Sequence, residues 1–222
     1  LMPSMAHPAS LGYGHGLLAI SACMRRDVEA TLHHAKAAIG LGRGHGLPSW
    51  AVMATPLRGW TRIEQGQLAE GLVNLRDGIA MWQARGFTHF APLFLGLQAE
   101  AYLKMARLDE ADAALSAARE LARNVELYWL PELHRLQGKL AVAEDRDASE
   151  AEARFRQAID AAREQEARML ELRATTSLAR LWQEQGRQQQ ARQALVEVND
   201  RFEEGLGTRD LREAAALWRA LA

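Results

Sequence analysis

Residues 99–118, AEAYLKMARLDEADAALSAA, have the pattern of a complete helical hairpin. A small residue, Ala99, and an aromatic residue, Tyr102, lie one turn apart on a first helix. Residues 105–107 then predict a tight break. After the break, a small, large, small set occupies one face of a second helix, because residues three and four apart are neighbours on a helix surface. This set is Ala111, Leu115 and Ala118.

The same set recurs before and after this stretch. Its first small residue is repeated at spacings of 41, 40, 40 and 40 residues. It is found at Ala30, Gly71, Ala111, Ala151 and Ala191. The large residue is His34, Leu75, Leu115, Phe155 or Leu195, and the second small residue is Ala37, Gly78, Ala118, Ala158 or Val198. Self-similarity at this period predicts about five helical hairpins of the tetratricopeptide type, each of about 40 residues.

The small and large positions have a packing role. A small residue lets two helices approach closely, and the large residue fills the groove beside it. One hairpin cannot bury its own apolar face, so neighbouring hairpins stack into a continuous core with a concave surface. We therefore predict an all-α, tetratricopeptide-like α-solenoid. Residues 1–16, with two prolines and three glycines, are predicted to be irregular, residues 17–207 to form the repeats and residues 208–222 to form a capping helix.

Composition narrows the class of protein. There are 27 Lys and Arg residues against 28 Asp and Glu residues, so no overall charge favours nucleic acid or a membrane surface as a partner. The single cysteine, Cys23, rules out an intramolecular disulfide and fits a reducing compartment. No apolar run has the length of a membrane span, and the N-terminus lacks a secretory pattern. These features favour a cytoplasmic protein.

The sequence contains no complete catalytic or metal-binding motif. The run GLGRGHG, residues 40–46, has neither the preceding strand of a dinucleotide loop nor the Gly-Lys-Ser/Thr of a P-loop. The histidines do not follow the spacing of a zinc site. Residues 145–156 begin like a calcium loop, but Glu150 replaces the required glycine and Arg156 replaces the bidentate acid. We therefore predict no cofactor, no metal and no enzymatic activity.

Three segments resemble a known family. They are LRGWTRIEQGQLAEGL (57–72), FRQAIDAAREQEARMLELRATTSLARLWQEQGR (155–187) and RFEEGLGTRDLREAAALWRAL (201–221). They resemble the C-terminal tetratricopeptide region of bacterial multidomain signalling ATPases, which are often fused to adenylate or guanylate cyclase domains. The resemblance implies that this chain is the repeat region alone, a fragment without the ATPase and the cyclase. It also implies the ATPase domain of the parent chain as a candidate partner.

The repeat pattern predicts which residues face the groove. In such repeats the first helices line the concave side, and the residue after the small packing position points into it. These residues are Trp60, Glu100, Lys139 and Arg180, to which neighbouring turns add Arg135 and Arg173. The C-terminal half of the groove is thus predicted to be basic. It is either a solvated charged face or a groove for an acidic or extended peptide, with Trp60 as the apolar anchor.

Two functions follow from this pattern. The first is a non-catalytic scaffold that binds a protein or an acidic peptide segment and regulates a larger signalling protein. The second is a sensor that binds a small molecule or peptide in the concave groove. A pocket with convergent polar groups around Trp60 would favour the sensor, whereas an open, charged groove would favour a protein or peptide partner.

Overall fold

The computed structural model describes residues 7–46, 48–124 and 127–221, which consist of helices joined by short turns. The α-helices within these ranges are α1 (Pro8–Met24), α2 (Val28–Gly44), α3 (Pro48–Glu64), α4 (Leu68–Gln83), α5 (Ala91–Lys104), α6 (Leu108–Asn124), α7 (Leu130–Ala143), α8 (Ala148–Glu164), α9 (Arg168–Glu184), α10 (Gln188–Asn199) and α11 (Arg209–Ala220). A short 3-10 helix, Leu127–Trp129, precedes α7. No strand occurs in the described ranges. The predicted all-α class is confirmed.

The chain divides into two compact units. Unit 1 is Leu1–Ala101, and unit 2 is Tyr102–Ala222. In unit 1, α2 packs against α1 and α3, α4 packs against α3, and α1 also contacts α3. In unit 2, α7 packs against α6 and α8, and α9 packs against α8 and α10. Each unit therefore contains antiparallel hairpins stacked on their neighbours.

The N-terminal segment differs from the prediction. Helix α1 begins at Pro8, so residues 8–16 are helical rather than irregular, and residues 1–6 lie outside the described part of the chain. Proline is accepted at this first-turn position because its missing N–H has no partner within the helix there.

Two glycines explain why this segment is a helix. Gly12 and Gly16 are one turn apart on α1 and face α3. A Cβ atom at Gly12 would lie 2.7 Å from Cδ1 of Trp50, and one at Gly16 would overlap Cε of Met53. These glycines therefore permit a close helix contact, although their number in a short stretch is typical of irregular chain.

The first repeat is out of the predicted register by one residue. Its buried positions are Thr31, Ala35 and Ala38 rather than Ala30, His34 and Ala37. Thr31 precedes Gly71 by 40 residues, so the first spacing equals the other three. Threonine fits a small buried position here because its Oγ1–H donates to the carbonyl of Asp27 at 2.6 Å. In the other four repeats the predicted residues are buried.

One turn is repeated within the hairpins. A residue with φ between 53° and 85° follows the first helix, and its N–H donates to the carbonyl three residues earlier. The next N–H donates to the carbonyl five residues before it, which satisfies a second helix-end carbonyl. The left-handed residues are Arg26, Gly66, Ala106, Asp145 and Gly186. The predicted break at 105–107 is confirmed.

The first helices of unit 2 form a layer of their own. Helix α7 contacts α9, and α9 contacts α11. Helix α11 lies within the segment 208–222 that was predicted to cap the repeats, and it also packs against α10. Side chains on α7, α9 and α11 can therefore meet directly. None of the helices in the described ranges is both long and apolar enough to cross a membrane.

Candidate functional site

Helix α7 of unit 2 carries a buried ion pair between Arg135 and Glu132. Arg135 donates from Nε to Glu132 Oε2 at 2.9 Å and from Nη2 to Glu132 Oε1 at 2.7 Å. Both residues are buried. A bidentate pair of this kind holds both side chains in one orientation, because two parallel hydrogen bonds fix the plane of the guanidinium group.

This pair continues onto α9 and α11. Arg173 on α9 lies 3.4 Å from Glu132 and donates to Asp210 Oδ2 on α11 at 2.7 Å and 3.2 Å. Arg135 also reaches the hydroxyl of Ser177 at 3.4 Å. We call the buried residues Glu132, Arg135, Arg173 and Asp210 the ion network. It ties three helices together with two positive and two negative groups.

The ion network contains two of the four basic residues that were predicted to line the groove. Arg135 and Arg173 were expected to point into the groove as accessible charges, but both are buried against carboxylates. Burial of an unpaired charge is costly, so the fold places an acid beside each arginine. These two residues therefore hold the face together instead of offering charge to a partner.

The other two predicted basic residues, Lys139 and Arg180, are at least partly accessible. Arg180 on α9 is 49% exposed and lies 3.5 Å from Glu213 on α11. Lys139 on α7 is half-buried. Both line a pocket of about 190 Å³ between α7, α8 and α9. The other lining residues are Val142, Phe155, Ser177, Leu181 and Glu184.

This α7–α9 pocket combines charge with an apolar floor. Phe155 and Leu181 are buried beneath it, and Val142 is exposed at its side. Two cations, Lys139 and Arg180, and one carboxylate, Glu184, line the pocket, and Arg180 also pairs with Glu213 on α11. The pocket can thus receive an apolar group next to an acidic one.

Trp60 and Glu100 do not take part in this site. Trp60 is only 2% exposed, so it is a core residue of unit 1 and not an accessible anchor. It lines neither the α7–α9 pocket nor the cavity of unit 1 that is described below. Glu100 is half-buried on α5 and belongs to unit 1 by chain position. The residue after the small packing position is thus buried in one repeat, as Trp60, and exposed in another, as Arg180.

A second charged cluster of unit 2 surrounds Trp182. Arg187 lies over the indole at 4.9 Å from the ring centroid, and Arg156 lies at 5.6 Å. Both arginines also bond Glu152, at 2.6 Å from Arg187 and 2.8 Å from Arg156. Hydrogen bonds from Arg187, and then from Arg156, lower the pKa of Glu152 to about 2. This cluster joins α8 to the start of α10 and has a structural role.

Three histidines of unit 1 also come together. Nδ1 of His15 lies 3.0 Å from Nδ1 of His34, and the ring of His33 is 4.9 Å from that of His34. Burial lowers the pKa of His34, and the neighbouring His15, His33 and Arg25 lower it further. The described residues contain no group of three or more His, Cys, Asp or Glu side chains placed to hold a metal ion.

The sequence is similar to part of a longer protein. No family model matches the chain. An uncharacterized protein of Rhizobium meliloti (strain 1021) is 26% identical over 182 residues, which are 80% of this chain and 17% of that protein. The chain thus spans about a sixth of the length of this curated relative.

Comparisons of the structure identify the fold. A Rap protein in complex with competence and sporulation factor matches 97% of this chain and 57% of its own, with a TM-score of 0.72 and 16% identity. Aspartyl phosphate phosphatase F of Bacillus subtilis matches 92% of this chain and 52% of its own, with a TM-score of 0.66 and 16% identity. The TPR-like repeats of a putative kinesin light chain of Podosopora anserina match 88% of this chain, with a TM-score of 0.54 and 18% identity. The chain therefore has a tetratricopeptide-like α-solenoid fold, as predicted.

The sequence also held signals for contacts that were missed. The Glu132–Arg135 pair is three residues apart on one helix, a spacing at which opposite charges meet. Arg173 and Asp210 are 37 residues apart. Because one repeat is about 40 residues, this separation places the two groups on neighbouring first helices. The periodicity could therefore have indicated the pairing.

Proposed function

We propose that this chain is a non-catalytic protein-interaction module that binds an acidic segment of a partner at the α7–α9 pocket. The observation that carries the proposal is that two cations, Lys139 and Arg180, line one pocket together with apolar residues. Stacked helical repeats commonly use an extended surface of their first helices for binding. The missing catalytic motifs support a module without enzymatic activity.

Electrostatics set the class of segment. A carboxylate entering the pocket would lie between Lys139 and Arg180, with charge-assisted hydrogen bonds from both. Glu184 at the rim disfavours a segment that is acidic at every position. The pocket therefore selects a carboxylate followed by an apolar residue, whose side chain would pack on Val142, the exposed apolar residue of the lining. Exposed pairs contribute only about 0–1 kcal/mol each, so the apolar contact is needed for useful affinity.

The ion network supports binding indirectly. It fixes α7 relative to α9 through Glu132 and Arg173, only two turns from the pocket residues on the same helices. A surface that is already ordered loses less conformational entropy when a partner binds. The network thus pre-organises the pocket.

A titration with a defined peptide tests the proposal. The probe is a glutamate-rich peptide that contains a leucine, and a lysine-rich peptide of equal length is the negative control. We expect the variant with Lys139→Glu and Arg180→Glu to bind the acidic peptide at least about tenfold more weakly, because two attractions become repulsions. Added salt should weaken binding to the wild type, since it screens exposed charges over about 10 Å at 0.1 M.

The matched control is Arg168→Glu. Arg168 is exposed on the same helix as Arg180, about 18 Å away along the helix axis, and this substitution changes the charge by the same amount per site. We expect it to change the affinity less than about twofold, since it lies beyond a Debye length. Equal weakening by both changes would indicate a general charge effect, and equal affinity of all three proteins would refute the pocket.

We also propose that the module belongs to a bacterial signalling ATPase and that the acidic segment lies in the ATPase domain of that protein. The resemblance of three segments to the repeat regions of such ATPases supports this context. The curated relative from Rhizobium meliloti shows that a similar stretch occurs within a much longer chain. The complete reading frame provides the test, because an ATPase domain encoded next to these repeats is expected and a different neighbour would contradict it.

A further inference from the structure

Unit 1 contains a pocket that is unlike the α7–α9 pocket. It has a volume of about 340 Å³ and lies where α1, the start of α3, the end of α4 and the loop after α4 meet. This is within the range of small ligand-binding clefts. Its walls are mainly aromatic, and we call it the aromatic pocket. The aromatic lining residues are Tyr13, Trp50, Trp82, Phe87 and His89.

The rings form two walls. Tyr13 and Trp50 are tilted against each other with centroids 5.1 Å apart. On the other wall, Trp82 lies 4.5 Å from Phe87 and 4.8 Å from His89. The indole N–H of Trp82 donates to the carbonyl of His89 at 2.7 Å, which holds the loop after α4 against the helix. The second wall is therefore held in place by a hydrogen bond as well as by ring contacts.

The lining has little formal charge. No Asp, Glu, Lys or Arg lines this pocket among the described residues. Polar groups that can donate a hydrogen bond are present in the hydroxyls of Tyr13 and Ser49 and in the ring of His89. Tyr13 is 47% exposed, so part of this residue is accessible to a ligand. The pocket thus complements an uncharged ligand that has apolar rings and hydrogen-bond acceptors.

We propose that the aromatic pocket binds a proline-rich segment of a partner protein. Prolyl rings pack on aromatic faces, and their backbone offers carbonyl acceptors without N–H groups that would need acceptors of their own. Such a segment is already extended as polyproline II, so little entropy is lost on binding. Hydroxyl donors beside aromatic walls match this pattern of acceptors and rings.

Other ligand classes fit less well. An acidic segment meets no Lys or Arg side chain in this pocket, in contrast to the α7–α9 pocket. A quaternary ammonium ion would be attracted by the ring faces, but no carboxylate in the lining adds to that attraction. The two pockets lie in different units, so loss of binding at one leaves the other available as an internal control.

The experiment is a titration of the full chain with a polyproline peptide, followed by tryptophan fluorescence. A glycine–serine peptide of equal length is the negative control. We expect Tyr13→Ala and His89→Ala each to weaken binding about five- to tenfold, in keeping with loss of a central aromatic contact. Tyr13→Phe should weaken it less, because the ring remains and only the hydroxyl is lost. Leu18→Ala, at a 50% exposed position on α1 that does not line the pocket, should bind like the wild type.

Circular dichroism and thermal melting establish that each variant is folded. His89 lies in a loop, so His89→Ala provides a second variant if Tyr13→Ala destabilises α1. Absence of polyproline binding to the wild type would overturn the proposal. So would unchanged affinity in both folded pocket variants. Binding of tetramethylammonium through Tyr13, in preference to the peptide, would also overturn it by assigning the pocket to a cation.

Discussion

Replacing Arg173 with methionine is expected to lower the free energy of unfolding by about 3–5 kcal/mol. Arg173 is buried and donates two hydrogen bonds to Asp210 while lying 3.4 Å from Glu132. Methionine keeps most of the apolar stem but removes the charge that both carboxylates approach. Two buried acids, Glu132 and Asp210, would then lose a partner. Removing one member of a buried ion pair costs more free energy than the intact pair contributes, because a charge is left buried. Chemical denaturation with unchanged slope provides the measurement.

Arg180→Met is the matched control for this change. Arg180 lies on the same helix two turns from Arg173, is about half exposed, and is 3.5 Å from Glu213. Loss of an exposed pair should change the free energy of unfolding by only about 0–1 kcal/mol. Combining Arg173→Met with Asp210→Leu should recover part of the loss, because one of the buried acids is then removed as well. Equal stability of the Arg173→Met and Arg180→Met proteins would contradict the ion network.

Gly59→Ala is expected to destabilise unit 1 by about 1–3 kcal/mol or more. A Cβ at Gly59 would lie 2.7 Å from the backbone N of Leu75 and 2.8 Å from the carbonyl oxygen of Gly71. Both are backbone atoms of α4, so they cannot move aside as the end of a side chain can. Inserting the methyl group must push α3 and α4 apart along their contact. Thermal melting monitored by circular dichroism measures the effect.

Gly40→Ala provides a control of the opposite sign. Gly40 lies inside α2, is exposed, and has no atom within 4 Å of its Cβ position. Alanine there should stabilise the helix by about 0.5–1 kcal/mol, because it restricts the unfolded chain without a clash. If Gly59→Ala raised the melting temperature in the same way, the close approach of α3 to α4 would be wrong.

The repeat pattern predicted most of the fold because it records packing between adjacent helices. A small residue such as Ala111 or Gly71 is required wherever two helices approach closely, so its spacing reports the length of the repeat. The pattern was misleading where a different residue type met the same need. Thr31 occupies the small buried position of the first repeat with its hydroxyl bonded to the backbone. Gly12 lies in a helix where a Cβ atom would clash with the side chain of Trp50.

The candidate site was less predictable, since its character depends on which charges become buried. Arg135 and Arg180 are both arginines on first helices of the repeats. Arg135 is nevertheless buried in the ion network, whereas Arg180 is exposed. The difference arises from carboxylates contributed by separate helices, such as Asp210 on α11. Phe155 lies in the core, as the repeat pattern predicts, but the pattern did not indicate that this second-helix residue also lines a pocket.

Amide hydrogen exchange with and without the acidic, leucine-containing peptide tests most directly whether unit 2 binds through the α7–α9 pocket. At saturating peptide, we expect slower exchange in α7 and α9, near Lys139 and Arg180, and unchanged exchange in α1 and α2. The protein with Lys139→Glu and Arg180→Glu should lose this protection at the same peptide concentration. Protection confined to other helices, or protection that survives in this variant, would contradict binding at the pocket.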